Sequence, residues 1–352
     1  MNYPINECIE TFIPERYYNN LISPEFFRHI NAIAKIVPAF YITILECRLK
    51  DDLTRIDLEV NLSNKSSINL PKELFKYPEW QFCHDIYQDW IKNNHSLAEK
   101  VEHIWLEFDI EENSSLIPLP CIFLGLNRNK FNKKSLIEMS SMLLNRQLPF
   151  SFKSNLKYCI DCLPSKTCVF YLGAMLSRSE QTVRIVSQIS SDRILDYLKQ
   201  IGWSGSQEII KTLLSKLSNF TDDICLSYDV GETVMPRIGL ECYLSKQPKY
   251  EFRWRLLLDY LVELNLCSKL KRNLLLNWTG YFKKVSKSAI LSESNNRANW
   301  DNVFLKAREP SAFIRTINHI KIVCNADNSL EAKVYLNLFH EPIDLTSLSI
   351  EK

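Results

Sequence analysis

The stretch 317-INHIKIVCNADNSLEAKVYLNL-338 alternates twice. Its first half puts His319, Lys321 and Asn325 on one side, with Ile320 and Ile322 on the other. Its second half sets Lys333, Tyr335 and Asn337 against Ala332, Val334, Leu336 and Leu338. Period two marks half-buried strands, and the polar Ala326–Ser329 between them turns a hairpin. A solvated strand face has no need of the ordered series lysine, tyrosine, asparagine. What that face looks at decides the fold.

Four earlier hairpins share the design. YITILECRL (41–49) and TRIDLEVNL (54–62) flank Lys50-Asp51-Asp52. EHIWLEFDI (102–110) and LPCIFLGLN (119–127) flank a loop with Asn113, Ser114 and Ser115. KTCVFYLGAML (166–176) and QTVRIVSQI (181–189) flank 177–180, and DICLSYDV (223–230) and RIGLECYLS (237–245) flank Gly231 and Pro236. Between pairs the apolar spacing becomes helical, over 23–37, within 74–98, and over 133–145, 190–201, 206–217, 251–264 and 267–277. Ser190 or Ser191 reads as an N-cap and Gly202 as a helix stop.

Adjacent strands joined by short turns are antiparallel. Ten of them, with helices between successive hairpins, predict an α+β fold: a ten-stranded antiparallel β-barrel of five αββα units, helices outside. The competing arrangement is two α+β domains with open sheets, whose edges would need protection. The expectation is one barrel domain over 1–352, with an N-terminal extension (1–22) and a C-terminal tail (341–352).

Totals bound the function. The 352 residues carry a net charge of +2, with 46% hydrophobic and 24% charged residues, so the whole chain is no polyelectrolyte binder. No secretory leader pattern opens the sequence and no apolar run reaches membrane-spanning length. Together with an odd, scattered set of 11 cysteines, this points to the reducing cytoplasm and away from a membrane. The pair Cys159 and Cys162 lacks the further ligands that a zinc site needs nearby. Seven glycines, with no GxGxxG and no GxxxxGK[ST], exclude the signatures of nucleotide-phosphate cradles.

If apolar faces meet the helices, the other faces line a lumen: Arg55, Asp57, Glu59 and Asn61; His103, Trp105, Glu107 and Asp109; Arg184 and Gln188; Ser227 and Asp229; Arg237, Gly239, Glu241 and Tyr243; then the last hairpin's polar series. A packed interior would prefer Leu and Val, so this lumen reads as a reaction or binding cavity.

The architecture, over roughly 24–345, resembles the ABBA (PT-barrel) prenyltransferases, a group with fungal indole, bacterial aromatic and cyanobactin peptide members. Lys333-Val-Tyr335 matches their Lys-x-Tyr series. Arg237-Ile-Gly-Leu-Glu241-Cys-Tyr243 matches in part, with Gly239 where that pattern has lysine. The resemblance implies transfer of a prenyl group from an allylic diphosphate to an aromatic or peptide acceptor. Arg55, Arg184, Arg237, Lys321 and Lys333 would hold the diphosphate. Trp105, Tyr243 and Tyr335 would shield the carbocation, with His319 and Glu241 near the acceptor. Glu46 and Glu107 are the base candidates, with Glu107 ahead, because alternation puts Glu46 with Ile42 and Ile44 on the helix-facing side. Luminal acids equal or outnumber cations. Either some lie at the barrel ends, a Mg²⁺ ion sits among them, or the lumen does other chemistry. The alternatives are a barrel enzyme of different chemistry and a non-catalytic ligand-binding or peptide-binding barrel.

From 246 to 287, ten cations face only Glu251, Asp259 and Glu263. This segment reads as solvated helix faces, or as a docking surface for an acidic peptide. Nucleic acid is disfavoured, since no recognised binding motif holds the cations.

Overall fold

The computed structural model describes residues 13–14, 17, 20–37, 42–50, 55–62, 70–92, 96–110, 115–128, 130, 132–145, 147–178, 182–284 and 311–342. In chain order the elements are α1 (Pro24–Ile36), β1 (Ile42–Arg48), β2 (Ile56–Leu62), α2 (Pro78–Ile91), α3 (Ser96–Lys100), β3 (Val101–Phe108), β4 (Pro120–Leu126), α4 (Lys133–Leu143), α5 (Phe150–Asp161), β5 (Cys168–Ala174) and β6 (Val183–Gln188). Then follow α6 (Ser191–Gln200), α7 (Gln207–Leu217), β7 (Asp223–Val230), β8 (Val234–Tyr243), α8 (Arg253–Glu263), α9 (Lys269–Leu276), β9 (Gly280–Lys284), β10 (Ser311–Cys324) and β11 (Leu330–Pro342).

All pairings are antiparallel. β1 to β8 follow in order, β8 pairs β10, β10 pairs β11, and β11 returns to β1. The sheet therefore closes on itself as a ten-stranded barrel, and the open-sheet alternative is excluded. Closure removes the strand edges that would otherwise need protection. Two elements lie outside the expected set. β9 pairs the first half of β10, Ser311–Arg315, whose second half pairs β8. Helix α5 carries Phe150, 87% exposed, and a largely exposed Tyr158 beside its buried Phe152, Leu156 and Ile160. Those outward aromatics blur the helical period. Asn113 and Ser114, Asp51 and Asp52, and Lys287 lie outside the described residues.

Alternation explains the layering. Ile238, Leu240 and Cys242 of β8, Ile320 and Ile322 of β10, and Val334, Leu336 and Leu338 of β11 point outward into one continuous core with the helices. Burying each such aliphatic side chain is worth about 1.5–3 kcal/mol. Caps fix where helices begin: Ser23 on α1, Ser206 on α7 and Ser268 on α9 accept from the N3 backbone N–H, and Asn132 with Ser135 makes a capping box on α4. Ser190 is the residue before α6 but makes no side-chain cap, and Gly202 adopts φ +71° just after it. A second, separate apolar cluster lies inside the barrel. It joins Ile44, Trp105 and Tyr335, with Ile42, Phe123 and Tyr171 packed against it.

That inner cluster corrects one expectation. Glu46, with Ile42 and Ile44, faces the lumen. Leu45, Cys47 and Leu49 face the helices. ITILECR is apolar on both faces, so alternation alone cannot orient it. The pairing of Glu46 with Tyr335 on one side and Asp57 on the other does.

Candidate functional site

The lumen holds two layers. The outer one is a recess of about 630 Å³ with five cations, Arg48, Arg55, Arg178, Arg237 and Lys333, against two carboxylates, Asp109 and Glu331. The inner one is a chamber of about 140 Å³, largely aromatic, with Trp105, Phe123, Tyr171, Tyr243, His319 and Tyr335 on its walls. Successive inward residues of one strand contribute to both. Arg48 is in the recess and Ile44 in the chamber; Asp109 is in the recess and Glu107 and Trp105 in the chamber; Lys333 is in the recess and Tyr335 in the chamber.

The five cations expected to hold a diphosphate divide between the layers. Arg55, Arg237 and Lys333 line the recess, whereas Arg184 and Lys321 line the chamber. Both chamber cations end on carboxylates. Arg184 makes a two-pronged contact with Asp229 at 2.7 and 2.8 Å. Lys321 Nζ donates to Glu241 Oε1 at 2.9 Å and to Ser227 Oγ at 3.1 Å. In the recess, Lys333 Nζ donates to Glu46 Oε1 at 2.6 Å. Arg237 donates from Nε to Asn325 at 3.2 Å and sits 3.9 Å from Glu331. Burial, with the like charges of Arg184 and Arg178, pulls the Arg237 pKa down. It is the cation least compensated by acids.

The base candidates differ sharply. Glu46 receives Lys333, the Tyr335 hydroxyl, and Arg48 Nη1 at 3.0 Å. Burial pushes its carboxyl up, but Lys333 and Arg48 outweigh burial and hold it well below the usual range. Among the described residues, Glu107's one hydrogen-bond and ion-pair partner is Arg178, at 3.5 Å. Burial, then the charge of Asp109, raises it to about 7 against the pull of Arg178. A carboxyl poised near neutrality is suited to proton transfer, and a locked one is not.

Three aromatic rings pack together, one pair stacked and one tilted. His319 lies on Tyr335 with centroids 4.1 Å apart at 15°, and its other neighbour Tyr243 is 4.7 Å away. Tyr243 donates to Glu241 Oε2 at 3.0 Å. A bulge between Ile317 and His319 turns Asn318 and His319 both inward. Asn318 donates from Nδ2 to Asn337 at 3.0 Å, so its Oδ1 accepts from His319 Nδ1, also 3.0 Å away. Burial lowers the His319 pKa to about 4, which leaves the imidazole neutral with Nε2 as an acceptor. Trp105 stands edge-on to His103 at 6.2 Å.

Gly239 departs from the resembled pattern, and a neighbouring strand makes up for it. A Cβ there would lie 2.3 Å from Lys321 Cε. The lysine missing from β8 thus comes across from β10, through space that only glycine leaves open.

Lumen-lining side chains that went unrecognised in the sequence include Arg48, Phe123, Tyr171 and Arg178. Arg48 is two residues beyond Glu46, and correct orientation of β1 would have found it. Phe123 and Tyr171 sit on strands apolar on both faces. Arg178 comes from the β5–β6 turn and has no period to betray it; it grips Asp109 with two bonds of 3.0 Å. The luminal acids gather no metal-holding group of three or more among the described residues. Glu46, Asp57, Asp109, Asp229 and Glu241 each pair with a cation instead.

The basic segment is less of a surface than its composition suggests. Lys271 is 1% exposed and donates to the carbonyls of Arg48 and Lys50. Arg253 pairs with Asp222 and Glu251, and Arg272 with Asp259.

Fold and site together define a closed ten-stranded αββα barrel with a cationic mouth and an aromatic chamber. Among solved structures, the chain is similar to the crystal structure of AnaPT from Neosartorya fischeri, with a TM-score of 0.47 and 11% identity, over 86% of this chain and 78% of that one. The fold rests on the strand pairings rather than on that likeness. No protein-family model and no curated protein matches the chain. No helix among the described residues is long and apolar enough to cross a membrane.

Proposed function

We propose that this chain is a single barrel domain that transfers a prenyl group from an allylic diphosphate to an aromatic or peptide acceptor. The observation that carries this reading is the layering of the lumen. Five cations line the recess, and the acids that line it or pair with them number four, Asp109, Glu331, Glu46 and Asp57, so a positive charge is left over, with Arg237 the least compensated. Such a surplus neutralises a diphosphate as it leaves, and arginine forks suit its oxygens. Directly below, Tyr243, His319 and Tyr335 offer packed π faces to an allylic cation. Apolar walls keep water from quenching it. At about 140 Å³ the chamber is small beside the 300–1,000 Å³ usual for ligand pockets, which favours a five-carbon donor over longer ones.

Incubation with dimethylallyl diphosphate and a panel of phenols, indoles and Trp- or Tyr-containing peptides tests this reading. Acceptor-dependent diphosphate release is expected. No release across the panel, together with no binding of the thiolodiphosphate analogue, rejects it.

One observation favours a second reading. Lys333, Lys321 and Arg184 each end on a buried or half-buried carboxylate, so a barrel that binds a polar ligand or peptide without turnover also fits. Replacing Glu107, Arg237 and Lys333 separates the two. A biological effect that survives all three substitutions favours binding alone.

A further inference from the structure

The inner chamber contains polar groups that no described residue satisfies. Trp105 Nε1 carries a proton with no acceptor among the described residues, and its residue is only 9% exposed. His319 Nε2, in a residue 6% exposed, has no donor among the described residues. The Glu59 carboxyl, on the same chamber wall, takes part in no hydrogen bond or ion pair among the described residues. Leaving a buried polar group unpaired costs about 1–3 kcal/mol. Two orphans and a free carboxyl in one small chamber mark it as built around a polar occupant.

Glu59 stands directly opposite Glu107 in the β2–β3 register, where facing Cβ atoms lie about 4.5–5.5 Å apart. Two carboxyls on facing positions of a buried chamber wall feel each other's charge, which opposes ionisation of both. Burial raises Glu59 well above the usual carboxylate range, and the charges of Glu107, Glu46 and Glu241 add to this against Lys321. Glu107 also feels Asp109 and Glu46 on one side and Arg178 and Arg184 on the other.

We propose that Glu59 and Glu107 work as a carboxyl pair sharing one proton, and that this pair receives the proton an acceptor loses on prenylation. The proposal rests on the transferase reading above. The donor's C–O bond breaks and diphosphate keeps the electron pair. The acceptor's carbon or heteroatom supplies the pair for the new bond, and its proton passes to the carboxyls, whose joint charge goes from −1 to 0. Glu46 is unsuited to this step, because Lys333, Tyr335 and Arg48 already occupy its oxygens. Trp105 Nε1 and His319 Nε2 then offer the acceptor one donor and one acceptor of hydrogen bonds.

Arg178 links the layers. It lines the recess and lies 3.5 Å from Glu107. A polyanion in the recess offsets its charge, so the pair becomes a stronger base when the donor is bound.

Infrared spectroscopy of the full chain with ¹³C-labelled glutamate reads the pair without turnover. A protonated-carboxyl C=O band at pH 7 is expected. It should disappear in Glu59→Gln and change its titration in Glu107→Gln. No such band in the unsubstituted protein, or a band that both variants leave unaltered, overturns the proposal. Calorimetry with inorganic pyrophosphate in two buffers of different ionisation enthalpy adds the coupling. Proton uptake on binding is expected, and its loss is expected in both variants. Failure of the transferase reading shows separately, as absent diphosphate release with the band and its response to both variants intact.

Discussion

Lys333 Nζ lies 2.6 Å from Glu46 Oε1, so the last strand of the barrel is pinned to the first by a buried ion pair. The two residues are 287 positions apart and meet only because the sheet closes. Arg48 joins them, 3.0 Å from Glu46 and 2.6 Å from Asp57. The resembled Lys-x-Tyr series is present in full, yet its lysine and tyrosine both serve Glu46. The cation least taken up by acids sits at the mouth, on Arg237, which approaches Glu331 only to 3.9 Å.

The seam should be sensitive to breaking and tolerant of joint removal. Removing one member of a buried pair costs about 3–5 kcal/mol, while apolar replacement of both is often neutral. Lys333→Met is expected to lose that amount in urea denaturation, and Glu46→Leu with Lys333→Met is expected to recover most of it. Additive losses in the double variant would show that the pair is not coupled.

Acid should weaken the same seam. The folded-state pKa of Glu46 is depressed, so its contribution is full above the ordinary carboxylate pKa of about 4.3. It fades as pH falls below that value toward the folded pKa. Stability measured from pH 6 down to pH 2 should drop less in Glu46→Gln than in the unsubstituted protein.

Glu107 acts in the opposite sense. Its pKa rises from 4.5 to about 7 on folding, so between these values the folded state holds a proton that the unfolded state has released. Stability therefore falls as pH climbs through that window, by up to about 3 kcal/mol at 1.36 kcal/mol per pH unit. Denaturant midpoints of Glu107→Gln should show a smaller decline between pH 4.5 and pH 8. An identical decline would mean that Glu107 ionises normally.

How far the sequence carried this reading depends on the strand. β7, β8, β10 and β11 alternate cleanly, and their inward residues Arg237, Glu241, Tyr243, His319, Lys321, Lys333 and Tyr335 were legible one by one. β1, β4 and β5 are apolar on both sides because the lumen has an apolar cluster of its own. There the period survives and its orientation is lost, which misplaced Glu46 and hid Phe123 and Tyr171. Ion-pair partners were not legible at all. Whether Lys321 meets phosphate or Glu241 depends on the cross-strand register and on the space over Gly239, neither of which has a local signature.

Gly239→Ala tests that space. The added Cβ would lie 2.3 Å from Lys321 Cε, so the lysine must leave its place between Ser227 and Glu241. Overpacking of this kind costs about 1–3 kcal/mol. The freed Glu241 should then titrate higher, since Lys321 is the largest influence opposing burial there. A variant with unchanged stability and an unchanged Glu241 would show that Lys321 adapts by rotation.

Arg237 should govern anion capture at the mouth. Its polar contacts among the described residues are Asn325 and a 3.9 Å approach to Glu331, so Arg237→Ala breaks no buried pair and should fold. A charge-assisted hydrogen bond contributes about 1.5–3 kcal/mol, and every 1.4 kcal/mol is tenfold in affinity. Calorimetric affinity for inorganic pyrophosphate should fall by about tenfold or more in Arg237→Ala. Arg55→Ala should lose less, because Arg55 is already shared with the buried Asp57 at 3.4 Å, whereas Arg237 approaches Glu331 only to 3.9 Å. Raising salt should narrow the difference, since screening reaches the open recess more readily than the chamber. Equal affinities in the two variants would move the anion site away from Arg237 and take the layered lumen's main support with it.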